Sequence, residues 1–158
     1  MEELTALMEE ERELFERLKE SVIQQKMALI DRDLNSMNEA LLVSEKLAFE
    51  IESIDKRRKD LFEKLKENLG LLPDASLTDV LNKLDDPERE VFLNSISGFL
   101  RTVNDLIIEL QGMKEMLNFE QSYFDFLRSL ITDGGRGIYS NKGKYRGIET
   151  RGSFDSRW

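Results

Sequence analysis

The chain has 158 residues, of which 40% are hydrophobic and 35% charged, and its net charge is −9. That length favours one domain, and so high a charged fraction argues against a layered α/β fold, whereas long helices that each bury a single stripe tolerate it. Neither Cys nor His occurs, which excludes a disulfide framework and removes the commonest acid–base and nucleophilic groups.

Residues 3–30 place Leu4, Leu7, Met8, Leu14, Phe15, Leu18, Val22 and Leu29 at three- and four-residue steps, with no Gly or Pro between them. This spacing predicts a helix. Asp31-Arg32-Asp33 is the first break, with Asp33 suited to cap a helix from Leu34, because a carboxylate accepts the free first-turn N–H groups. The alternative is a helix that continues through this point. A second helix is predicted over 34–69, with Leu34, Met37, Leu41, Ala48, Ile51, Phe62, Leu65 and Leu69 as its apolar stripe and Gly70 and Pro73 as its stop. Ser76-Leu77-Thr78-Asp79 opens a short third helix to about Leu84, capped by Ser76. Asp86-Pro87-Glu88 starts the last one, with Pro87 at the first helical position, where its missing N–H costs nothing. That helix can reach Ile131, roughly 65 Å at 1.5 Å per residue. Gly98 and Gly112 mark a bend or a close helix contact within it. The expected fold is all-α: an antiparallel, coiled-coil-like bundle of three long helices and one short helix. It occupies 1–132, and 133–158 follows as a flexible tail.

The tail differs from the body in charge and composition. It holds six of the nine glycines, and its six Lys/Arg against three acids make it +3, which leaves −12 for residues 1–132. Such a body repels nucleic acid and anionic membranes. The pairs Arg136-Gly137, Arg146-Gly147 and Arg151-Gly152 faintly resemble RNA-binding segments; the other reading is a tail with no role. Met1-Glu2-Glu3-Leu4-Thr5 is acidic, so no signal peptide is expected. No apolar run approaches the ~20 residues that cross a bilayer, and the expected location is the cytosol.

Catalytic and metal chemistry find little support. Carboxylates abound, but in runs such as Glu9-Glu10-Glu11-Arg12-Glu13 and Asp55-Lys56-Arg57-Arg58-Lys59-Asp60, which read as solvated faces with weak ion pairs. A carboxylate metal site in a bundle usually adds His in a Glu-x-x-His pattern, and Gly134-Gly135-Arg136-Gly137 follows a helix where a phosphate loop follows a strand. No enzyme activity, cofactor or metal is expected.

The end of the last helix is more informative. Met116, Phe119, Tyr123, Phe126 and Leu130 form one stripe, and Met113, Leu117, Phe124, Leu127 and Ile131 form a second, about 100° away. So wide an apolar arc fits a central helix with two neighbours, or a dimer seam. It also fits one internal stripe beside one docking stripe, for which Met and aromatics are well suited. Asn104 reads as a buried polar residue that fixes register, or else as a partner contact.

Four places resemble the FlgN family of flagellar type III export chaperones: Leu29-Ile30-Asp31-Arg32-Asp33-Leu34; Arg57-Arg58 with Leu61-Phe62, Leu65 and Leu69-Gly70; Val103-Asn104-Asp105-Leu106-Ile107; and Ile138-Tyr139-Ser140-Asn141-Lys142-Gly143. The resemblance implies a cytosolic helical chaperone that keeps hook-associated flagellar proteins of the hook–filament junction unassembled and delivers them to the export gate. It implies that a client's C-terminal helix docks on Val103, Ile107, Leu110, Met113, Met116, Phe119, Tyr123, Phe126 and Leu130. It also implies that Tyr139, with Asn141 and Gly143, contacts the cytoplasmic domain of the gate. The alternative is a structural adaptor that forms a homodimer through the same apolar face. Residues 144–158 are covered by neither reading.

Overall fold

The computed structural model describes residues 1–132, except for the side chains of Glu120, Tyr123, Phe124 and residues 127–132. The segment 133–158, with Tyr139, Asn141 and Gly143, lies outside the described residues. Four helices and no strand make up the described chain: α1 (Glu2–Asp31), α2 (Leu34–Asn68), α3 (Leu77–Lys83) and α4 (Asp86–Thr132). Met1–Leu110 forms one compact unit and a second begins at Gln111.

Local chemistry sets each boundary. At the end of α1 the Arg32 N–H donates to the Leu29 carbonyl at 3.3 Å and the Asp33 N–H to the Ala28 carbonyl at 2.9 Å. This pattern closes a helix through one left-handed residue. Arg32 takes that role at φ 55°, although glycine does so at lower cost. Asp33 then caps α2, accepting from the Ser36 N–H at 3.1 Å and the Ser36 hydroxyl at 2.7 Å. These bonds hold its carboxyl below the usual aspartate range. The break at 31–33 is therefore a two-residue link. α2 ends in the same motif with the expected glycine, Gly70 at φ 68°. Ser76 and Asp79 cap each other's backbone N–H at the start of α3. The start of α4 differs by one residue from the sequence expectation. Asp85 is the cap, accepting from the Glu88 N–H at 2.9 Å, and Pro87 is the second helical residue.

Side-chain pairs give the topology of the first unit. Ser21 and Gln25 bond Ser44 at 2.8 and 2.6 Å, and Glu11 meets Arg58 at 2.7 Å. Partner numbers fall on α2 as they rise on α1, so these helices are antiparallel. Phe15 meets the Phe99 ring edge-on at 5.6 Å, Glu16 accepts from Thr102 at 3.0 Å, and Lys26 reaches Glu109 at 2.8 Å. Here the numbers rise together, so α4 runs parallel to α1 and antiparallel to α2. The bundle thus runs up, down and up, with α3 bridging the return. Lys66 anchors that return by donating to the Pro73 carbonyl at 2.6 Å.

The α4 seam is Phe92, Ile96, Phe99, Val103 and Leu106, all buried. Its alternating four- and three-residue steps are the coiled-coil spacing. Burying a Phe such as Phe92 or Phe99, both at 0% exposure, contributes about 1.5–3 kcal/mol. On α1, six of the eight expected stripe residues are buried: Leu4, Leu7, Met8, Leu14, Phe15 and Val22. On α2 the expected stripe holds at Ile51 and Phe62, which are buried, and is out of phase before them. Leu34, Leu41 and Ala48 are exposed, and the buried row is Ala40, Leu47, Ile51, Ile54, Arg58 and Phe62. Arg58 is the one charged residue among these six.

A buried ion pair corrects a second expectation. Glu11 and Arg58, drawn from the two charge runs expected to be solvated, are both 0% exposed. Arg58 Nε donates to Glu11 Oε2 at 2.7 Å, its Nη2 meets Asp55, and its guanidinium stacks over the Phe99 ring at 5.5 Å. One residue thereby joins α1, α2 and α4. Asn104, expected to fix register, is exposed. Register is carried by Glu11–Arg58 and by Ser21 and Gln25 on Ser44.

Replacing Arg58 alone by Met leaves a buried carboxylate without its cation and should cost about 3–5 kcal/mol in a urea titration, whereas Glu11→Leu with Arg58→Met should restore most of that loss. A Cβ at Gly98 would lie 3.7 Å from Arg12 Cδ, an ordinary contact. Gly98→Ala should therefore raise stability by up to ~1 kcal/mol, read as a higher urea midpoint with unchanged slope.

Candidate functional site

Among the described residues, the concavities of the first unit include two near helix junctions. One, of about 360 Å³, lies between α1 and α2 near their link, among Gln24, Met27, Asp31, Ser36 and Val43. The other, of about 530 Å³, lies where α2 gives way to α3, among Gly70, Leu72, Asp74, Asp79 and Lys83. Among the described residues no group of three acidic, His or Cys side chains is placed to hold a metal. In the first concavity the Ser36 hydroxyl donates to the Asp33 carboxylate at 2.7 Å as part of the α2 cap. Acidic groups with lowered pKa sit at helix caps or in pairs on one helix face, such as Glu9 beside Arg12 and Glu16 beside Lys19, which are structural settings.

The expected docking residues of α4 fall into different environments. Val103 is 3% exposed within the seam, so it is withdrawn from any partner face: its surface is already spent on the bundle's own core. Ile107 is half-buried, and Leu110, at the next seam position, is exposed. These two belong to the first unit.

In the second unit, Met113 and Met116 are half-buried, Phe119 is 71% exposed and Phe126 is 39% exposed. Phe119 and Phe126 are seven residues apart and so share one face of the helix. Leu117 is also exposed, at 43%; two positions from Phe119, it points to the far side. Both flanks of the apolar arc thus present large side chains to solvent over 117–119. The Tyr123 and Leu130 side chains lie outside the described residues, as do those of Phe124, Leu127 and Ile131.

Sequence reading missed an apolar surface on α2. Leu42 and Phe49 are 65% and 74% exposed, and Leu34, Leu41 and Val43 are exposed too. The signal was present in the seven-residue spacing of 34, 41 and 48 and of 42 and 49. It was hidden because an apolar row in a helix is first assigned to the core. Among the described residues no helix is long and apolar enough to cross a membrane.

Comparison with known proteins agrees with the helical architecture. A family model described as FlgN protein matches residues 1–147. Neither the curated proteins nor the solved structures give a match.

Proposed function

The chain belongs to the FlgN family, a family of flagellar export chaperones and not of enzymes, and on that premise we propose that it holds hook–filament junction proteins through α4 and delivers them to the export gate. The grip is the face of Met113, Met116, Phe119, Tyr123, Phe126 and Leu130. The observation that carries this reading is the exposure of Phe119 and Phe126 on one face of a helix. Anchors at helical spacing match the pattern by which one amphipathic helix receives another. A client's C-terminal helix laid on this face would be kept from its own assembly, because the apolar stripe it needs for polymerisation is covered.

Electrostatics define the working conditions. A body of charge −12 keeps the free chaperone soluble and away from nucleic acid. A partner with basic flanks would associate faster at low salt. The cytosol is the proposed location, where clients are held before export. Tyr139, with Asn141 and Gly143, is the proposed contact for the cytoplasmic domain of the export gate. Grip and gate contact thus occupy separate stretches of sequence, which allows a client to remain bound while the chaperone docks.

Phe119→Ala with Phe126→Ala should weaken binding of a client's C-terminal helix by at least about 1 kcal/mol, roughly fivefold in Kd. Titration calorimetry reads the affinity and circular dichroism checks that helicity persists; unchanged affinity contradicts the grip. Tyr139→Ala should leave client affinity as it is and weaken binding to the gate's cytoplasmic domain. Loss of the client instead would mean that the two roles are wrongly divided.

A further inference from the structure

The first half of α2 is apolar on two faces. Ala40, Leu47 and Ile54 are buried in the core. At about 100° per residue, Leu34, Leu41 and Ala48 lie one step round the helix and Leu42 and Phe49 two steps round, all of them exposed. Glu45 stands at the centre of this outer patch. It follows Leu41 and Leu42 by four and three residues and precedes Ala48 and Phe49 by three and four, the separations that share a helix face. Glu52 stands in the same way after Ala48 and Phe49. Both carboxylates are exposed, and among the described residues neither has a hydrogen-bond or ion-pair partner. Beyond Phe49 no large apolar residue of α2 is exposed, and there Asp55 pairs with Arg58 and Lys59, and Glu63 with Lys66.

The two carboxylates select the occupant. A helix laid along this patch covers Glu45. A wholly apolar occupant would strip water from that carboxylate and supply no counter-charge, an unfavourable burial. A second copy is no better: paired about the centre of the patch, parallel or antiparallel, it sets Glu45 against Glu45 and joins two chains of −9 each. The occupant that answers both properties is a helix with apolar side chains about seven residues apart and Lys or Arg between them. Its apolar side chains lie on Leu42 and Phe49, and its cations meet Glu45 and Glu52. Residues 34–49 extend about 24 Å along α2, so roughly four turns of the partner cover them.

We propose that the outer face of α2 over residues 34–49 is a protein-docking surface whose partner is a basic amphipathic helix of another protein. The face belongs to the first unit, whereas the proposed client grip belongs to the second. The proposal therefore goes beyond the client grip and does not depend on it. Docking leaves the core as it is, because every side chain the partner covers is already exposed. Opposite charge on the two faces speeds their encounter at low salt.

The probe is a helical peptide of about 18 residues, five turns, made of Leu and Lys with Leu along one face and added to the full chain. A peptide with Glu in place of Lys is its control, and the amide resonances of α2 read the site. The Leu–Lys peptide should shift resonances across 34–52 and bind at least about tenfold more tightly than the Leu–Glu peptide. Leu42→Ser with Phe49→Ser, two exposed positions, should weaken it several-fold while the circular dichroism stays the same. Glu45→Gln with Glu52→Gln should weaken it too and flatten its salt dependence. Phe119→Ala with Phe126→Ala should leave the α2 shifts in place, which separates this surface from the client grip. Four results would overturn the proposal: α2 resonances that the peptide leaves unmoved, shifts that both substitution pairs leave in place, a Leu–Glu peptide that binds as tightly, or a dimer in light scattering that Leu42→Ser with Phe49→Ser dissolves, which would assign the face to a second copy.

Discussion

A buried arginine organises the first unit. Arg58 leaves water to reach Glu11 on α1, stays beside Asp55 on its own helix, and stacks on Phe99 of α4, which itself meets Phe15. An apolar residue of equal volume would pack as well or better. What it would lack is direction. Leucine seams between long helices can slide by a heptad at modest cost, but a guanidinium displaced by a heptad would leave two buried charges apart. The pair accepts a desolvation cost in exchange for one alignment of three helices. Ser21 and Gln25 repeat that constraint some ten residues along α1, with neutral groups bonded to Ser44.

Once alignment is fixed, the distribution of apolar surface follows. The α4 seam is closed from Phe92 to Leu106. Beyond it the helix continues with Met and Phe at helical spacing, and Phe119 and Phe126 are open to solvent. A chain of this charge has no need of such side chains for solubility. An exposed apolar face of this kind is what the proposed grip on a client would use. Leu42 and Phe49 on α2 are exposed as well.

Much of the fold was legible in the sequence because helices announce themselves locally. The caps Asp33 and Ser76, the stop at Gly70 and the periodicity of α1 each depend on neighbouring residues alone. What was not legible is long-range. Glu11 sits among five charged residues and Arg58 among six, and nothing within either run marks the one that turns inward. Only the pairing across 47 positions does so. The phase of α2 failed in its first half only, where the small Ala40 takes a core position and the larger Leu34 and Leu41 face solvent. Asn104 failed in reverse: a polar residue in a leucine-rich stretch looked buried and is not. At the candidate site the wide arc of α4 was legible, whereas the enclosure of Val103 needed the bundle.

The central claim is that α4 works in two parts, a closed seam that builds the bundle and an open face that receives a client. Hydrogen–deuterium exchange on the full chain, with and without a hook–filament junction protein, tests it directly. The account expects the client to slow exchange across residues 111–132 while 86–106, already protected by the seam, changes little. Protection confined to α1 or α2, with 111–132 exchanging as in the free chain, would contradict it.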